Sequence, residues 1–148
     1  HEHDRRAQRA QKAPAKGSQA PLRLTRVARQ RFRPRQRIRK RREYKLVYEG
    51  GLRVGGEHLV LFVQANGLGH ARLGMTATRR VGMAVTRNAV RRRVREAFRR
   101  SQDRLGPWDI VVNIRSSAAG RPAREIEQEF VTLCGRAARL LARQAPRQ

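Results

Sequence analysis

Residues 79–104 constrain this chain more than any other stretch. They hold ten arginines and only two acids, Glu96 and Asp103. The pattern predicts a helix over about residues 85–104, stopped by Pro107. On a helical projection Val90, Val94, Ala97 and Phe98 gather within an arc of about 100°. A helix with that single apolar stripe cannot stand alone, so other elements must supply a core beneath it. Asn88, Arg91, Arg92, Arg95 and Arg99 lie beside the stripe on one flank, and Arg93, Arg100 and Arg104 lie on the other. A solvated basic helix normally interleaves glutamates at i,i+4 to relieve repulsion. Only Glu96 offers much relief here, and a phosphate backbone would remove the cost of clustering the rest.

The whole chain leans the same way. Its 148 residues carry 36 Lys+Arg against 11 Asp+Glu, a net charge of +25. A surface that one-sided repels itself unless a polyanion neutralises it, which points to nucleic acid. Arginine outnumbers lysine 32 to 4. Guanidinium forks phosphate and stacks on bases, which suits structured RNA; a GC-rich genome would give the same bias. The one cysteine, Cys134, excludes an internal disulfide and a cysteine-based zinc site, and it reads as small core filler on a helix. No apolar run approaches the ~20 residues needed to cross a bilayer. The expectation is therefore a cytoplasmic protein with no membrane partner.

Along the chain, residues 1–30 read as a basic tail with too few large apolar side chains to offset the cost of ordering. An RNA-binding domain is expected over residues 31–143, with a short C-terminal tail at 144–148. Residues 35–49, with Ile38, Tyr44, Val47 and Tyr48 before Gly50-Gly51, predict a short helix. Residues 58–64 and 72–78 predict strands around the turn Asn66-Gly67-Leu68-Gly69, and residues 52–54 a short strand beside them. In the second of these strands Leu73, Met75 and Ala77 share one face, and Arg72, Gly74, Thr76 and Thr78 the other. The apolar run at 108–114 predicts a central strand. Pro122 opens a last helix to about residue 143, with Ile126, Phe130, Leu133, Ala137 and Leu141 on one face. The order is α-β-β-β-α-β-α, a single-domain α+β sandwich with a small mixed sheet.

The stretch LGMTATRRVGMAVTRNAVRRRVREAFR, residues 73–99, closely resembles the protein component family of bacterial ribonuclease P. The family pattern is a strand ending in a basic pair, then V-G-x-A-V-x-R-N, then x-x-[KR]-R-x-x-R-E, and every position matches. Residues 39–50 resemble the family's first helix, and Asp109 to Val112 with Arg115 its fourth strand. The resemblance covers about residues 32–141.

That resemblance implies a subunit that binds a large catalytic RNA and assists it in removing the 5′ leader of precursor tRNA. Arg87, Asn88, Arg91, Arg92, Arg95 and Arg99 would face the catalytic RNA. The leader would lie in a cleft between the first helix and the sheet, against Tyr44, Tyr48, Val60 and Phe62, with Thr76, Arg79 and Arg80 extending it. Two phenols amid Arg39 to Arg42 and Lys45 suit stacking of single-stranded bases of any sequence; ordinary core packing is the plainer reading of each ring, and of Phe62 above all. Mg2+ is expected in the complex, held mainly by RNA.

The residues themselves offer no nuclease. Phosphodiester hydrolysis needs an acid–base pair or a metal cradle. Of His1, His3, His58 and His70, three fall in the tail or a loop. Glu125, Glu127 and Glu129 read as helix N-terminal acids that favour the macrodipole. No catalytic residue and no metal ligand is therefore expected on this chain, and no further protein partner is required. The alternative is a non-enzymatic ribosomal or RNA-assembly protein.

Overall fold

A computed structural model of the chain describes residues 32–144. The tail expected at residues 1–30, and the C-terminal tail beyond residue 144, lie outside the described residues.

Four strands, β1 (Leu52–Gly55), β2 (Leu59–Ala65), β3 (Arg72–Ala77) and β4 (Trp108–Ile114), and three helices, α1 (Arg41–Gly50), α2 (Ala84–Ser101) and α3 (Ala123–Gln144), follow the expected order. The sheet order is β1-β2-β4-β3. The β1–β2 and β2–β4 pairs are antiparallel and β3–β4 is parallel, so the sheet is mixed. β4 has a partner on each side, as its unbroken apolar run requires.

Alternation divides the sheet into two faces. Leu59, Leu61, Val63, Leu73, Ile110 and Val112 are buried on one face, in a core shared with the stripe Val90, Val94, Ala97 and Phe98 of α2 and with Ile126, Phe130 and Leu133 of α3. Cys134 is buried in the same core, and that burial pushes its thiol up to about 12. Leu140 and Leu141 pack at the margin of this core, partly exposed.

The opposite face carries α1 over a smaller core of Ile38, Val47 and Val111, with Tyr44, Tyr48 and Phe62 packed against it. Residues in register across this face run Gln64–Asp109–Arg72, Phe62–Val111–Gly74 and Val60–Asn113–Thr76.

Two boundaries differ from expectation. The first helix begins at Arg41, not near residue 35. Upstream, residues Pro34–Gln36 form one tight 3-10 turn. The Ile38 N–H donates to the Leu73 carbonyl at 3.0 Å, and Arg37 bridges to Leu73 in parallel. The backbone that would continue the helix is spent on the edge of β3. Glu43 then sets the start of the helix: one carboxylate oxygen accepts the Lys40 N–H at 3.3 Å, and the other accepts Arg72 Nη1 at 2.7 Å. At the other boundary, α2 ends at Ser101, and residues Gln102–Arg104 tighten into a 3-10 turn.

Candidate nucleic-acid interface

The entry to α2 is shaped by Gly82. Its φ is 141°, in the region that favours glycine, and a Cβ there would sit 3.1 Å from the Thr86 side chain. From that point the helix presents its cations in two rows. Arg87, Arg91 and Arg95 are spaced i,i+4 and form an inner row beside the apolar stripe; all three are half-buried. Asn88 and Arg92 form an outer, exposed row that continues to exposed Glu96, which holds half-buried Arg99.

The rows differ electrostatically. In the inner row Nε of Arg87 and Nε of Arg95 are buried with no acceptor among the described residues, an arrangement that costs roughly 1–3 kcal/mol per group unless a ligand satisfies it. Arg99, by contrast, donates from Nε to Glu96 at 2.6 Å, and that contact holds the Glu96 carboxyl below its ordinary range. The other flank faces α3: Arg93 reaches the Arg121 carbonyl at 2.5 Å, and Arg100 pairs with Glu127 at 3.3 Å. The first turn also leaves Met83 and Val85 more than four-fifths exposed beside the ridge. The sequence reading passed over both residues, although an apolar pair at a helix start outside the stripe is a usable signal.

A groove of about 260 Å³ runs between the inner row, β3 and the segment before α1, with Arg37, Arg39, Tyr44, Gly74, Arg91 and Arg95 among its walls. Tyr44 is laid over Gly74, where any Cβ would come within 2.8 Å of its ring. Its hydroxyl accepts the Met75 N–H at 3.2 Å. Burial pushes the phenol above its ordinary value, against the smaller pull of that hydrogen bond. Arg91 and Arg95 therefore share a groove with Tyr44, and the two surfaces expected separately meet there.

Farther along the same sheet face, the Tyr48 hydroxyl donates to Asn113 Oδ1 at 2.6 Å, and Thr76 donates to the same oxygen at 2.5 Å. The Tyr48 ring stands edge-to-face with Phe62, centroids 4.8 Å apart. Val60 shares this face but is only 7% exposed, so it is floor rather than contact surface. Arg79 and Arg80 are exposed in a 3-10 turn after β3.

Sequence reasoning gave three residues of this face no role in the site. Asn113 ties Tyr48 to Thr76, and a lone amide inside the run 108–114 is its signal. Exposed Arg53 lies in register with Phe62, and its guanidinium and that of Arg115 both approach Gly55, each 3.5 Å from where a Cβ would stand.

The carboxylates near the groove are occupied. Arg72 holds Asp109 through two contacts, at 2.8 and 2.6 Å, and Glu43 through a third. Those partners raise the Arg72 pKa further, and Arg72 lowers that of Glu43. With Glu96 engaged by Arg99, these residues do not fit a catalytic metal ion.

The family model of ribonuclease P matches residues 32–138. The ribonuclease P protein component of Syntrophus aciditrophicus is 37% identical over 99 residues, covering 66% of this chain and 83% of the relative. That of Pseudomonas aeruginosa is 37% identical over 108 residues, covering 72% and 77%. Among solved structures, the Staphylococcus aureus RNase P protein superposes with a TM-score of 0.66 at 27% identity, covering 69% of this chain and 94% of that one. The Thermotoga maritima RNase P protein gives 0.63 at 30%, covering 68% and 96%. A matched family model over most of the chain, relatives above one-third identity and the same fold agree: the chain belongs to the ribonuclease P family, as its protein component.

Proposed function

We propose that the ridge of α2 binds the catalytic RNA of ribonuclease P, and that the adjoining groove and sheet face take the 5′ leader of precursor tRNA. One observation carries this reading. The inner arginine row keeps buried N–H donors that no acceptor among the described residues reaches, and phosphate oxygens supply what they lack. Arg87, Asn88, Arg91, Arg92 and Arg95 face the catalytic RNA; Arg99 joins them only by leaving Glu96. Tyr44, Tyr48, Phe62, Thr76, Arg79 and Arg80 line the path of the leader above the Val60 floor. The groove side of Tyr44 offers a base a π-face flanked by two guanidiniums.

The bond-breaking belongs to the RNA partner, with Mg2+ held there rather than by this chain, and the particle works in the cytoplasm. Purified protein alone should leave precursor tRNA intact, and adding the catalytic RNA with Mg2+ should release the leader. Cleavage by the RNA-free protein would overturn this division of labour. Sequencing the RNA that copurifies with the chain decides the alternative, because ribosomal RNA without a catalytic RNA would favour an assembly protein.

A further inference from the structure

Three of the eleven acids in this strongly basic chain, Glu57, Glu125 and Glu129, surround one buried histidine. They sit in a pocket of about 530 Å³ between the β1–β2 turn and α3, which shares no lining residue with the groove. The His58 side chain is only 9% exposed. Both oxygens of Glu129 accept its backbone N–H, at 3.1 and 2.9 Å. That contact, rather than the helix macrodipole, is the employment of Glu129.

The ring's hydrogen bonds assign its tautomer. Ser117 Oγ lies 3.0 Å from His58 Nδ1 and donates its only proton to the Glu57 carbonyl at 2.9 Å. Ser117 must therefore accept from Nδ1–H, which leaves the lone pair of the neutral ring on Nε2. That nitrogen is aimed between two carboxylates, Glu57 Oε2 and Glu125 Oε2, each 3.8 Å away. The gaps are too long for hydrogen bonds. A lone pair facing two anions is repelled unless a cation lies between them. Two ligands of one tetrahedral zinc ion stand about 3.3–3.6 Å apart, so each carboxylate must close on Nε2 by a few tenths of an ångström, and the exposed Glu57 and Glu125 side chains must also swing toward one another. Single ligand atoms of Glu57, His58 and Glu129 also lie within 4.8 Å of one another.

We infer that His58, Glu57 and Glu125 form a binding site for a divalent transition-metal ion, with Glu129 beside it and Ser117 orienting the imidazole. One nitrogen with carboxylate oxygens favours Zn2+ over Mg2+, which prefers oxygen alone and keeps its waters. The cations at the rim are Arg121, 3.9 Å from Glu125, and Arg136; Arg121 must share Glu125 with the metal. A bound ion would fasten the β1–β2 turn to the start of α3.

The test uses the metal-stripped full chain carrying His1→Ala and His3→Ala, which removes the other closely spaced imidazoles. Zn2+ should bind at one equivalent, raise Tm by several degrees and move the His58 Nε2 resonance, whereas Mg2+ at equal concentration should not. Glu57→Gln with Glu125→Gln changes exposed side chains and should abolish the Tm rise. Ser117→Ala, which frees the ring, should weaken Zn2+ binding about 10–100-fold. The inference is overturned by no zinc-dependent Tm rise, by an equal rise in the double Gln variant, or by a His58 ring that keeps protons on both nitrogens in excess zinc. In that last case a proton fills the gap instead.

Discussion

Replacing Arg91 and Arg95 by alanine together removes two inner-row cations while keeping residues that favour helix. Neither arginine has a carboxylate partner among the described residues, so the substitution breaks no ion pair there. Each phosphate contact contributes about 0.7–0.9 to the slope of log affinity against log salt. The double variant should therefore flatten that slope by about 1.4–1.8. Between 50 and 200 mM monovalent salt this means the parent loses roughly tenfold more affinity than the variant. Arg99→Ala is the internal control. Its guanidinium is already held by Glu96 at 2.6 Å, so its loss should change the slope by less than one contact. Glu96→Gln, which frees Arg99, should steepen it. The assay is fluorescence anisotropy of labelled catalytic RNA at fixed Mg2+, with circular dichroism to check that α2 is intact. An unchanged slope in the Arg91/Arg95 variant, or an Arg99→Ala effect equal to that of Arg91→Ala, would refute the division into free and occupied arginines.

Other consequences concern stability. Gly74→Ala should destabilise the fold by about 1–3 kcal/mol, because its methyl meets the Tyr44 ring. In a Tyr44→Ala background the same change should stabilise by about 0.5–1 kcal/mol, since glycine weakens a strand; denaturant melts giving the same sign in both backgrounds would remove the ring from the explanation. Glu43→Gln should lower stability at neutral pH, because Arg72 depresses the Glu43 pKa from 4.5 in the folded state. That contribution is present above the unfolded value and lost as pH falls through the lower folded value. Parent and variant melts should therefore begin to converge as pH falls below about 4.5 and meet only below the lower folded value, and a gap that persists in strong acid would contradict it.

What the sequence revealed and what it hid follow from the range of the interactions. The stripe of Val90, Val94, Ala97 and Phe98, the split of β3 into Leu73/Met75 and Gly74/Thr76 faces, and the central place of β4 are written in local periodicity. The true start of α1 depends on Ile38 finding Leu73, and the hub at Asn113 on Tyr48, 65 residues away in sequence. No window of the sequence contains either pair. The meeting of Arg91 and Arg95 with Tyr44 was likewise invisible, because it needs α1 and α2 placed about β3. Val60 shows the limit of parity reasoning: alternation assigned its face correctly but said nothing of how deeply it is buried. The pairing of Arg99 with Glu96, three residues apart, was within reach, and the helical projection counted Arg99 among the free cations nonetheless.

The two sides of the sheet are unequally anchored. α2 and α3 share a broad apolar core, whereas α1 rests on three fully buried residues and a few ring contacts. Elements with so little buried surface open at a fraction of the global unfolding cost. Amides of α1 should exchange with solvent earlier than those of β4, and the mouth beside Tyr44 should widen without melting the rest. A pliable jaw set against a stiff cationic rail lets one site admit strands of differing bulk while its grip on the larger partner stays fixed.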